Sequence, residues 1–132
     1  MEVNELTINL EAFVFYVRRL ASENPDKKDN ITEGYWYNHR GRPHTLIGEA
    51  AYACGVSIQT LARWDSLVNP FICTALSDIL RSRAAANSSN ADIVKWLCAV
   101  QDESDSRWAD AVARADRKFP GICQDRGSGG WV

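Results

Sequence analysis

His39 and His44 stand five residues apart on either side of Arg40-Gly41-Arg42, and they are the only imidazoles in the chain. Imidazole nitrogens ligate zinc and move protons near neutral pH, so this pair is the first place to look for chemistry. A hairpin centred on Gly41 brings the two rings together across its turn. Two histidines supply half a zinc site, however, and neither is flanked by an evident acid partner, so they read as solvent-exposed turn residues. Ser57, Ser66, Ser77 and the serines after Asn87 lie in no nucleophile-elbow motif. Asp102, Glu103, Asp105 and Asp110 gather at one junction; such a cluster can bind a divalent cation, but acids near a helix start are also what the helix dipole favours, and that is the preferred reading. Gly127, Gly129 and Gly130 have no strand before them and form no phosphate-binding loop. Cys54, Cys73, Cys98 and Cys123 are spread singly, without C-x-x-C pairs. Three of them fall at apolar positions of helical segments, as small buried hydrophobes with reduced thiols would. The expectation is a non-enzymatic protein with no metal and no cofactor.

What the residues do offer is material for binding. Tyr35-Trp36-Tyr37 followed by Arg40 and Arg42 combines the side-chain types that dominate binding hot spots. Alternation along a strand sends either Trp36 or its two neighbours away from the core, which leaves an aromatic surface. Tyr35, Trp36, Tyr37, Arg40 and Arg42 are therefore the expected partner-binding residues. A second pattern runs from Ile47 to Trp64. Ala51 falls where a helix-turn-helix needs a small residue at the helix crossing, Gly55 where its turn needs positive φ, and Val56 and Leu61 where core contacts are required. In that reading Ser57, Gln59, Ala62 and Arg63 face bases in the major groove, with Arg40 and Arg42 beside the phosphates. A single exposed arginine on the second helix is few cations for DNA affinity, which comes mostly from phosphate neutralisation.

Two resemblances attach to these residues. Gly55-Val56-Ser57, Thr60-Leu61 and Arg63-Trp64 resemble the helix-turn-helix opening of MerR-like regulators and phage excisionases. A longer series is similar to a group of small proteins encoded by actinobacteria and their phages. It comprises Tyr35-Trp36-Tyr37, Gly41-Arg42-Pro43-His44-Thr45-Leu46-Ile47-Gly48-Glu49-Ala50, Gly55-Val56, Val100-Gln101-Asp102, Asp105, Trp108, Ala111-Val112 and Ala115. That group reads Pro-x-Cys-Leu-Ile/Val-Gly where this chain has Thr45 in place of the cysteine, which argues against a required thiol. The resemblance implies a shared helical fold and a mobile-element origin, without a biochemical activity.

The elements that must position these residues follow from periodicity. With 132 residues, 45% of them hydrophobic, and 15 basic against 17 acidic residues for a net charge of −2, the chain can bury a core and carries no global field toward phosphate or membrane. Asn9 caps a helix whose stripe is Leu10, Phe13, Val14, Val17, Leu20 and Ala21, running to about Glu23. The segment 24–30 reads as an exposed connection and 35–46 as a small hairpin, with Pro43 keeping its second strand short or at an edge. Helices follow from Ile47 to Cys54, from Ser57 to Asp65, and from Asn69-Pro70, with an apolar stripe through Leu80, until Ala86-Asn87-Ser88-Ser89-Asn90 breaks it. Two more are expected, one capped by Asn90 and ending near Glu103, the other capped by Ser104-Asp105-Ser106 and ending at Phe119 before Pro120-Gly121. Met1 to Glu5 carries acids where a secretory signal carries bases, and no apolar run approaches the ~18 residues of a membrane span, so the expected compartment is the cytoplasm.

The fold class this predicts is mainly α: a compact bundle of about five to six helices with one small β-hairpin. Residues 1–123 form the single domain and 124–132 a flexible C-terminal tail, in which Trp131 has no obvious packing partner. The expected function is that of a phage- or prophage-type accessory protein binding a host protein, with duplex DNA as the alternative partner.

Overall fold

The computed structural model describes residues 2–30, 36–67, 75–103 and 105–123. Helix α1 (Leu10–Glu23) starts where local chemistry says it must: Asn9 is extended and its side chain accepts from the Ala12 N–H at 3.0 Å. Its buried face is Leu10, Phe13, Val14, Val17 and Ala21, and it stops at Asn24 before Pro25.

The hairpin is smaller than expected. Only β1 (Asn38–His39) and β2 (Arg42–Pro43) pair, antiparallel, with Asn38 opposite Pro43 and His39 opposite Arg42. Arg40 at φ 55° and Gly41 at φ 76° form its two-residue loop. Positive φ at both central positions is the turn whose twist suits two strands, and Pro43 has no N–H with which to extend the ladder. Helix α2 (Thr45–Ala53) consequently begins at Thr45, two residues before the expected Ile47. The Thr45 hydroxyl oxygen accepts from the Gly48 N–H at 3.2 Å and donates to the Trp36 carbonyl at 2.6 Å, so it caps the helix and ties it to the hairpin in one group.

After Gly55, at φ 98°, and the buried Val56, α3 (Ile58–Ser66) begins as expected, with Ser57 accepting from the Thr60 N–H at 3.1 Å. The next expected helix, from Asn69-Pro70, falls in part outside the described residues. Its described part is α4 (Ala75–Ile79), broken at Leu80 and continued as α5 (Arg81–Ala86). The break before α6 (Ser88–Asp102) is a single extended residue, Asn87, whose side chain accepts from the Asn90 N–H at 2.8 Å. The cap is therefore Asn87 and not Asn90, because an asparagine caps the N–H three residues ahead of it.

Helix α7 (Trp108–Lys118) also corrects its expected start. The residue before it, Arg107, makes no side-chain cap bond, and the Ser106 hydroxyl faces Glu103 and Arg114. The first free N–H groups of α7 are met by the 24–30 connection: Trp108 donates to the Lys27 carbonyl at 2.7 Å and Ala109 to that of Pro25 at 3.3 Å. Tertiary carbonyls thus do what a capping side chain does elsewhere.

Among the described residues there are seven helices and one two-stranded antiparallel sheet, a helical bundle with a small hairpin. Helix α6 lies at its centre, against α1, α2, α4, α5 and α7. Trp64, Trp96, Trp108, Tyr37 and Phe13 are the largest fully buried or nearly fully buried side chains. Residues 124–132, expected as a tail, lie outside the described residues.

Candidate interaction surface

Asp65, near the end of α3, organises the hairpin. One carboxylate oxygen accepts from the backbone N–H of Trp36 at 2.7 Å and of Tyr37 at 2.9 Å, and the other from Asn38 at 2.8 Å. Partial burial pushes the Asp65 carboxyl above its ordinary range, and the three N–H donors oppose that shift. Gly48 of α2 packs so closely that a Cβ there would sit 2.8 Å from the Tyr37 carbonyl oxygen. The base of the hairpin is therefore held from two helices at once.

Tyr37 was expected at a partner surface, and the structure places it in the core, 0% exposed. Its ring meets Trp64 edge-on at 5.6 Å and its phenol donates to the Gln101 side chain of α6. The reason is geometric: with Asp65 holding three successive N–H groups, the bend before β1 turns that side chain inward, where Gln101 satisfies the hydroxyl. Trp36 is half-buried and packs against the same cluster. Tyr35 lies outside the described residues. What the hairpin exposes is its tip, Arg40 and Arg42, which make no ion pair or side-chain hydrogen bond among the described residues. His39 and His44 do come together, ring centroids 5.4 Å apart, and the His44 Nε2 lies against the Asn30 carbonyl. Among the described residues no group of three or more His, Cys, Asp or Glu is arranged to hold a metal ion.

The second expected site lies on α3, and its four residues meet different fates. Gln59 and Ala62 are exposed. The Ser57 hydroxyl donates to Glu2 at 2.9 Å, and Thr60 donates to the same oxygen at 3.0 Å. Arg63 is gripped by Glu5 through two bonds of 2.8 and 2.7 Å, and the Trp64 indole adds a third contact to Glu5 at 3.3 Å. These donors hold both carboxyls below the ordinary range: the Ser57 and Thr60 hydroxyls for Glu2, the Arg63 guanidinium foremost for Glu5. The face expected to meet DNA thus carries two carboxylates, and its one arginine is already neutralised. Sequence reasoning passed over Glu2, Glu5, Asp65 and Gln101; no local spacing marks them, since their partners are 27 to 64 positions away.

The remaining candidates are the acidic cluster and the cysteines. Glu103 accepts from Arg114 at 2.7 Å and Asp110 from Arg107 at 2.9 Å, with Asp110 in the first turn of α7 where the dipole favours it. Burial pushes the Cys54 thiol up to about 12, which suits a packing role; Cys98 and Cys123 are half-buried, and Cys73 lies outside the described residues. No helix among the described residues is long and apolar enough to cross a membrane. No protein-family model matches the chain, and neither a curated protein nor a solved structure shows significant similarity to it.

Proposed function

We propose that the protein is a non-catalytic binding protein that engages another protein through the hairpin tip, with Arg40 and Arg42 as its contact cations and Trp36 at their base. The observation that carries this reading is the footing of the tip: one carboxylate, Asp65, holds three consecutive N–H groups at the base of two exposed arginines that have no partner among the described residues. A surface ordered before binding loses less entropy on association, and unpaired guanidiniums seek carboxylates in bidentate geometry. The complementary face is accordingly acidic. Together with the phage-like resemblance of the chain, this supports an accessory protein that modulates a host protein.

Replacing Arg40 and Arg42 by alanine is expected to leave the thermal midpoint nearly unchanged, since exposed substitutions stay within about ±0.5 kcal/mol. The same change should abolish capture of a protein from an actinobacterial lysate. Equal capture by the variant removes the hairpin from consideration. Duplex DNA is the competing ligand because α2, Gly55 and α3 have the helix-turn-helix order. The carboxylates of Glu2 and Glu5, which the N-terminal segment lays against α3, weigh against it. Binding of a duplex that weakens steeply from low to physiological salt would favour DNA.

A further inference from the structure

A second feature lies among helices other than the two that clamp the hairpin base. Between α5, α6 and the end of α7 runs an open groove of about 430 Å³. Its floor is apolar: Ala84, Val94, Cys98, Ala99 and Phe119. Ala91, Lys95, Cys98 and Asp102 follow one another along one stripe of α6, so the groove is roughly 16 Å long at ~1.5 Å per residue, about three helical turns.

The rim is cationic. Arg81 stands on α5, Lys95 on α6 and Lys118 at the end of α7, all exposed. None of the three makes an ion pair or side-chain hydrogen bond among the described residues, whereas Arg18, Lys27, Arg63, Arg107 and Arg114 are each paired with a carboxylate. Asp102 is the one acid among the lining residues. In a chain of net charge −2, three cations around the same apolar floor, against the single carboxylate of Asp102 that Lys118 partly offsets, are a local reversal of sign. Because they stand on three different elements, the anions that pair with them must flank an apolar body on more than one side. A single carboxylate on a lipid tail does not do this. A helix with apolar anchors at i, i+3 and i+7 and acids on both shoulders does, and its anchors fit the length of the floor.

We propose that the α5–α6–α7 groove is a docking site for an acidic amphipathic helix of a partner protein. It is separate from the hairpin surface and stands whether or not Arg40 and Arg42 bind anything. The probe is a synthetic helix-forming peptide of roughly 14 residues with leucines at i, i+3 and i+7 and glutamates on both flanks. In an NMR titration of the full chain it should shift the amides of Val94, Cys98 and Phe119. The same peptide with lysines for glutamates should not bind. Lys95→Glu combined with Lys118→Glu, both at exposed positions, should weaken binding by about tenfold or more with an unchanged circular dichroism spectrum. Arg40→Ala with Arg42→Ala should leave it intact, which keeps this test distinct from that of the hairpin.

No binding of the glutamate peptide, equal binding of both peptides, or shifts elsewhere in the chain would overturn the proposal. So would perturbation of the same amides by dodecanoate but not by the peptide, which assigns the groove to a lipid. A concentration-dependent dimer in sedimentation that the lysine reversals dissolve assigns it instead to a second copy of the chain.

Discussion

Arg40 and Arg63 are both exposed arginines, on neighbouring elements, and the fold treats them in opposite ways. Arg40 and its companion Arg42 stand at the tip of a hairpin whose base is clamped by Asp65, and no carboxylate among the described residues reaches them. Arg63 stands on the helix that carries Asp65, and Glu5 holds both its terminal nitrogens. The difference teaches that a cation's availability is decided by where the acids of distant segments come to rest. On α3 one carboxylate builds a platform for two arginines, and two others from the N-terminal segment close the face a DNA-reading helix would need open. The two regions also titrate with opposite sign, because burial raises Asp65 while hydrogen-bond donors lower Glu2 and Glu5.

The largest expected effect breaks the platform. Asp65→Ala strands three backbone N–H groups and should cost about 3 kcal/mol, given ~1–3 kcal/mol for each buried donor left unpaired and their partial access to water. Urea unfolding measures it, and partner binding at the hairpin should fall with it. A loss below about 1 kcal/mol would mean that water replaces the carboxylate and the clamp is incidental. Gly48→Ala attacks the same base from α2. Its Cβ would lie 2.8 Å from the Tyr37 carbonyl, an overpacking that should cost about 2 kcal/mol by the same measurement. An unchanged midpoint would show that α2 yields without moving the hairpin.

The smallest effect sharpens the contrast from the other side. Glu5→Gln frees Arg63 and should cost less than about 1 kcal/mol at neutral pH, as a half-exposed ion pair does. Its pH dependence is more telling. A carboxyl lowered in the folded state contributes stability above its unfolded pKa and loses that contribution as pH falls through the folded value. Stability on acidification from about pH 6 to pH 3 should therefore drop less in Glu5→Gln than in the native chain. Asp65, raised by burial, runs the other way, its ionisation costing stability as pH rises through the carboxylate range. A variant that loses as much stability in acid as the native chain would show that the Glu5–Arg63 pair is screened to nothing.

Some of this architecture could be read before folding. Asn9 starts α1, Ser57 starts α3, and Gly41 and Gly55 sit at turns that need positive φ. In each case one residue's own sterics or side-chain reach decides the outcome. The caps that misled show the limit of that method. Asn87 and Asn90 are both good caps three residues apart, and nothing local prefers one. Ser104 to Ser106 looked like the start of α7, but the carbonyls of Lys27 and Pro25 satisfy that helix from the far side of the chain. In the aromatic run, alternation says that one side faces inward without saying which, and the structure turns Tyr37 in.

The sequence by itself determined the apolar stripes of the helices, the turn at Arg40-Gly41 and the inventory of charges, because these depend on backbone sterics and on partners three or four residues away. Only the tertiary structure decided that Tyr37 is core, that Asp65 is a clamp, and that Arg63 is paired with a distant carboxylate. The bonds responsible span separations such as 64 positions from Tyr37 to Gln101 and 58 from Glu5 to Arg63. No local window contains both partners of such a bond, and it forms only after the packing of α1, α2, α3 and α6 has brought them within reach.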